Sequence, residues 1–280
     1  MTPDMLAALW GLAAAAAWGF GDFAGGLATR RSDELTVMRV SSVLGLVFLV
    51  GLALLRGSPL PSLQDALLGV AGGAVGVIGL ITLYRALAGG QMSLVAPITA
   101  VVANIVAVGI SAATEGIPDL LKWAGFLLAA LGVWFLSRPE GQIRLSSQTL
   151  GLSVLAGVSF GGIFAITAQF SSADVGWSVV CLRITTVVLI FALIAWRGGV
   201  PALPKALVPL AAVAGICDSL GNIFFALAGQ VGRLDVSAVS SSLYPAFTLV
   251  LAVLVLRERL QGWQLFGAAL CLVSIGLIVA

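Results

Sequence analysis

Asp218 stands near the middle of an apolar run at 206–229, with Ser219 beside it and Asn222 four residues on. On a helix that spacing puts Asp218 and Asn222 on one face. A carboxylate there could bind a substrate amine or exchange a proton. Equally, it could serve as the structural partner of Arg183, seven residues into the run at 176–196. Arg183 could hold a substrate carboxylate through its planar fork, neutralise Asp218, or snorkel to the interface. Ionisable groups at such positions cost at least about 2.5–3.5 kcal/mol in hydrocarbon and usually face a cavity or a partner. Asp22 lies in the glycine-rich stretch Trp18-Gly19-Phe20-Gly21-Asp22, at a cavity mouth or in interfacial water.

Uncharged polar groups suit a site that must release what it binds. Ser237, Ser241 and Tyr244 share a face at spacings of four and three, and Pro245 follows. Proline donates no backbone hydrogen bond, so the carbonyl four residues back is freed and the helix kinks. The run at 93–113 echoes this with Pro97, Thr99 and Asn104. Kinks at corresponding places in two halves point to a transporter site, although serines also satisfy bonds between packed helices. Trp18, Tyr84, Phe160, Phe164 and Tyr244 could supply aromatic walls. Trp123, Trp134, Trp177, Trp196 and Trp263 lie near the ends of runs, where indoles anchor to the interface.

Other chemistry is excluded by what is missing. With no histidine, imidazole acid–base work, histidine metal sites and histidine proton relays drop out. Cys181, Cys217 and Cys271 are widely spaced inside apolar runs, which argues against a disulfide framework or a metal site. There is no Gly-x-x-x-x-Gly-Lys-Ser/Thr for nucleotide, and no carboxylate pair or nucleophile–base pair for a membrane enzyme. The cations are scattered singly, so nucleic-acid binding is set aside. No cofactor is expected.

These residues must be carried by helices in lipid. Hydrophobic residues make up 60% of the 280 and charged residues 9%, with a mean hydropathy of +1.13. A soluble domain carries about 25% charged residues. A spanning helix needs about 20 mostly apolar residues. Ten such runs follow, at 5–28, 36–55, 65–88, 93–113, 120–137, 148–170, 176–196, 206–229, 235–256 and 262–280, with nine as the alternative count. The first starts without Lys or Arg and is too long for a signal peptide, so it reads as a span. The fold class expected is all-α, a polytopic membrane protein.

An internal repeat is legible. Ala86-Leu87-Ala88-Gly89 closes the third run and Ala226-Leu227-Ala228-Gly229 the eighth. Gly125 opens the fifth run as Gly267 opens the tenth, and Trp18-Gly19 parallels Phe160-Gly161. Five spans per copy is an odd number, so the second copy, 147–280, must enter the membrane upside down relative to the first, 1–138. Ten of the Lys and Arg residues fall after odd-numbered runs (Arg30, Arg31, Arg39, Arg85, Arg138, Arg144, Arg197, Lys205, Arg257 and Arg259), whereas the opposite side holds Arg56, Lys122 and Arg233. Positive-inside bias puts the first set in the cytoplasm and both termini outside.

Trp18-Gly19, Arg39, the two Ala-Leu-Ala-Gly endings, Ser240-Ser241-Ser242-Leu243-Tyr244-Pro245 and Arg257-Glu258-Arg259-Leu260 together resemble the drug/metabolite transporter superfamily, in its EamA-like branch. The resemblance covers essentially the whole chain. It implies export of small metabolites, amino acids among them, across the inner membrane, and it implies cytoplasmic termini, against the charge count. The expectation is an alternating-access secondary transporter, monomeric, with a small-molecule substrate and the lipid bilayer as partners. The expected cavity is lined by spans 1, 3, 4, 6, 8 and 9. Trp18, Tyr84, Asn104, Phe160, Phe164, Asp218, Asn222, Ser237, Ser241 and Tyr244 are its candidate substrate contacts, Asp218 its candidate coupling group, and Pro97 and Pro245 its hinges. Efflux of organic cations, a channel and a non-transporting scaffold are the alternatives.

Overall fold

The computed structural model describes residues 1–89, 92–136, 146–171, 175–257 and 261–279. These residues form helices α1 (Pro3–Thr29), α2 (Glu34–Leu55), α3 (Leu63–Gly89), α4 (Met92–Thr114), α5 (Leu120–Leu136), α6 (Ser147–Thr167), α7 (Gly176–Trp196), α8 (Val208–Val231), α9 (Leu234–Ser241), α10 (Tyr244–Leu256) and α11 (Gly262–Val279). Eight spans among the described residues are long and apolar enough to cross a bilayer, with α9 and α10 together making one. Part of α4 (Ile98–Thr114) and the whole of α5 add two shorter apolar helices. In hydrocarbon every backbone polar group must be satisfied within its own segment, and helices do this.

Short polar signals set the ends. Thr2 caps α1 through a bond from Met5 N at 3.2 Å, with Pro3 opening the helix. Asp33 caps α2 at Thr36 N, 3.0 Å away, and Asp119 caps α5 at Lys122 N, 2.9 Å away. Gly57, Gly116, Gly198 and Gly199 take positive φ in the connections, where a side chain would be strained.

The helices pack as a closed ring in the order α1, α8, α2, α7, α3, α6, α4, α9 and back to α1, with α10 continuing α9 along α1. Helices α5 and α11 form a separate pair beside it. Exchanging the two halves maps this pattern onto itself: α1·α8 becomes α6·α3, and α2·α8 becomes α7·α3. The pairs α2·α7, α4·α9 and α5·α11 map onto themselves.

Side-chain detail repeats at the same offset. Gly79 lies against the Phe160 ring, and Gly221, 142 positions on, lies against the Trp18 indole, itself 142 positions before Phe160. Gly125 faces the carbonyl of Ser274, and Gly267 faces the carbonyl of Gly132. At all four glycines a β-carbon would collide, so the backbones approach as small-residue interfaces allow.

The halves are inverted. Gly232, just after α8, sits on Pro3 at the start of α1, and Gly229 sits on Ala168 at the end of α6. The beginning of α1 and the end of α6 therefore share one face of the bundle, here the terminal face. The opposite, basic face carries Arg30, Arg31, Arg85, Arg197 and Lys205. Residues 86–89 end on the basic face and 226–229 near the terminal face, as inverted copies require. The ninth run, read as one span from the sequence, is broken at Ser242-Leu243.

Candidate functional site

The break follows from Pro245. Its nitrogen carries no hydrogen, so the ladder lapses; Leu243 N reaches Ser240 O at 3.4 Å, and Ala246 N turns to Leu243 O at 3.0 Å. Asn104 of α4 donates from Nδ2 to Ser242 Oγ at 2.8 Å, tying the broken span to its repeat-related partner helix.

The break divides two environments. Every residue of α9 is buried, whereas no residue of α10 is. Toward the terminal face the interior is filled. Trp18, Phe164 and Phe225 stack with centroids 4.5 Å apart for Phe164–Phe225, 6.0 Å for Trp18–Phe225 and 6.1 Å for Trp18–Phe164. Ala14, Ala107, Leu234 and Ala238 pack around them.

An ionic layer lies outside that plug. Arg233 forks onto Asp235 at 2.7 Å and bonds the carbonyls of Glu115 and Gly116, while the Glu115 carboxylate accepts from Leu234 N. The hydrogen bond to Asp235 raises the Arg233 guanidinium above its ordinary range. Lys122 pairs with Asp4 at 2.9 Å and with Asp119 at 3.3 Å. The Lys122 backbone N–H, foremost, lowers the Asp119 carboxyl from its ordinary value of 3.8.

Toward the basic face the inner wall is polar. Arg183 pairs with Asp218 through Nη2, which also donates to Ser219 Oγ at 3.2 Å. The Arg183 side chain is 7% exposed and that of Asp218 46%, so the pair presents its carboxylate outward to the lumen and keeps its cation covered. Asn222 Nδ2 bonds the Asp218 carbonyl at 2.7 Å. Gly21 and Gly25 of α1 lie on α8 and Gly19 lies on α10. Helical spacing then sets Asp22 between those two contacts, facing inward. Asp22 is nonetheless exposed, and it stands in electrostatic reach of Asp218 and of Tyr244.

A second opening lies at the basic end, where a cavity of about 200 Å³ separates α2, α3 and α7. The same α2 and α7 meet closely toward the terminal face, through Leu49, Val175, Val179 and Val180. They diverge toward the basic face.

The structure thus brings Trp18 and Phe164 together with Phe225, places Asp218 with Asn222, and joins Asn104 to the α9–α10 break beside Tyr244 and Pro245. Phe160 packs on Gly79 one turn from this group. Ser237 and Ser241 are buried with their hydroxyls on the carbonyls of Arg233 and Ala238. They fill the α1–α9 contact and do not open on the lumen. The side chains of Tyr84 and Pro97, and the segment Glu258-Arg259-Leu260, lie outside the described residues. Sequence reasoning missed the Arg233–Glu115 layer and the cavity charges Glu34, Arg85 and Arg197. Nothing in the spacing of 115 and 233 announces that they meet.

The EamA-like transporter family matches the chain twice, over residues 5–138 and 148–280. A relative from Synechocystis sp., named as the uncharacterized transporter sll1319, is 28% identical over an alignment of 176 residues that covers 58% of this chain. The chain spans about half, 51%, of that relative's length. A protein of known crystal structure superposes with a TM-score of 0.81 at 19% identity, covering 97% of this chain and 95% of its own, which establishes the fold. With both halves of its ten-helix bundle matched, the chain belongs to the EamA-like transporter family.

Proposed function

We propose that the protein is a secondary transporter that exports small metabolites, foremost amino acids, across the inner membrane by alternating access. One observation carries this reading: in a scaffold whose two ends are related by repeat symmetry, Trp18, Phe164 and Phe225 fill the interior on the terminal side of the break, whereas the Asp218 and Asp22 carboxylates on the other side are accessible. Symmetry makes the reverse arrangement accessible to the same contacts, with α4 taking the part of α9 and α10. Rocking of the halves then exchanges the open end. Substrate drives that exchange only as far as it binds the two states differently.

Positive-inside bias makes the basic face cytoplasmic, so the open end is where an exporter loads. The lumen offers the Asp218 and Asp22 carboxylates, the Asn222 amide and the Trp18 and Tyr244 rings, a mixed polar and aromatic set suited to an amino acid. Asp218 is the coupling candidate. Asp22, whose side chain has no hydrogen-bond or ion-pair partner among the described residues, favours a second reading, efflux of organic cations.

Uptake into proteoliposomes of amino acids, organic cations and phosphorylated metabolites, with and without a pH gradient, separates these. Saturable amino-acid transport supports the first reading, and cation transport alone replaces it with the second. No transport of any class removes both.

A further inference from the structure

The cavity at the basic face combines an apolar wall with charges that have no partners. Val77 and Leu80 of α3, Met38 of α2 and Ile190 of α7 form the wall. Arg85, Arg197 and Glu34 stand at the rim, all exposed. Among the described residues none of the three side chains makes an ion pair or a hydrogen bond.

Two guanidiniums and one carboxylate leave the rim with a net charge of one positive. That composition repels a simple organic cation and attracts a carboxylate, which arginine grips through its two-pronged fork. Glu34 adds an acceptor suited to an ammonium group. The volume, about 200 Å³, falls below the roughly 300–1,000 Å³ of pockets that hold drug-sized ligands. A small zwitterion with an aliphatic side chain matches all three features.

We infer that this cavity is the cytoplasmic loading site for an aliphatic amino acid. Arg85 and Arg197 hold its carboxylate, Glu34 its ammonium, and the wall at Val77, Leu80 and Ile190 its side chain. This rests on the amino-acid export reading and names the residues that select within it.

The test measures leucine transport by the full-length protein in proteoliposomes, with leucinamide, 4-methylpentanoate and isoamylamine as competitors. In the wild type, leucine and then 4-methylpentanoate compete best, and the two carboxylate-free amines compete poorly. Arg85→Gln and Arg197→Gln each raise the leucine KM about tenfold or more at unchanged maximal rate and erase the preference for carboxylates, while Arg85→Lys retains part of it. Leu80→Trp, which fills the wall, weakens leucine and spares glycine.

Leucine kinetics that are unchanged in Arg85→Gln, Arg197→Gln and Leu80→Trp overturn the assignment and leave amino-acid export standing. Loss of co-purified anionic phospholipid from the arginine variants, with leucine kinetics intact, also overturns it and gives the cavity to a lipid headgroup. A wild type that moves no amino acid overturns the export reading and this inference together.

Discussion

Asn104 Nδ2 donates to Ser242 Oγ across 2.8 Å, and the bond joins α4 to the broken ninth span. The two helices are repeat-related, so the bond lies where the halves meet. It fixes the break between the filled and the open ends of the interior. Asn104→Ala removes the donor and leaves Ser242 on its own carbonyl contact with Val239. One neutral hydrogen bond contributes about 0.5–1.5 kcal/mol. A small fall in thermal stability with a several-fold change in transport rate is expected, measured by unfolding in detergent and by proteoliposome flux.

Pro245→Ala restores a donor at the break. The repaired ladder favours a continuous helix, so stability is kept or rises while transport slows at least several-fold. Equal rates for the variant and the wild type would remove the break from the mechanism.

Breaking a buried ion pair from one side is costly, about 3–5 kcal/mol, because the remaining charge is uncompensated. Asp218 is half open to the lumen, which puts Asp218→Asn at or below the lower end of that range. Replacing both partners, as Arg183→Met with Asp218→Leu, recovers most of the loss in a double-mutant cycle. Asp22→Asn orphans no partner, so it leaves thermal stability near the wild-type value. If transport and its pH dependence both survive Asp218→Asn, that carboxylate does not couple the proton.

Gly221 lies so close to the Trp18 indole that a methyl group cannot be added without displacement. Gly221→Ala is expected to cost about 1–3 kcal/mol as overpacking. Trp18→Leu, which withdraws the ring, suppresses that cost. Additive losses in the double variant would separate the two residues.

On the terminal face, Asp119 has a folded carboxyl lowered below its ordinary 3.8 by the Lys122 N–H. A lowered value means that the stabilising contribution is complete above that ordinary value and lost as pH falls through the folded one. Asp119→Asn, which still caps α5, therefore loses that contribution at neutral pH, lowering stability there slightly, and flattens the acid limb of a stability–pH curve below about pH 4.

Hydropathy runs and the Ala-Leu-Ala-Gly echo made the ten spans and their inversion legible, because lipid imposes length and an odd span count imposes orientation. Asp218, Asn222, Asn104 and Pro245 stood out for the same reason: polar groups and prolines are rare in hydrocarbon. The sequence could not tell Ser237 and Ser241, turned onto their own helix, from Ser242, which bonds across to Asn104. All are serines within one turn and a half, and only the direction of the break separates them. Arg85 and Arg197 entered the sequence reading only as cations of the basic side, because the divergence of α2 from α7 that opens a cavity beside them is a tertiary feature. Arg233 and Glu115 meet through tertiary folding alone.

The most direct test places single cysteines at 22 and at 238 in a background with Cys181, Cys217 and Cys271 replaced, and exposes each face in turn to a membrane-impermeant maleimide. Without substrate, position 22 should react from the basic face only and position 238 from neither. Saturating substrate should change the reactivity at 22. Reaction at 22 from the terminal face alone, or equal reaction at 238 from both faces, would contradict a bundle closed at one end and open at the other.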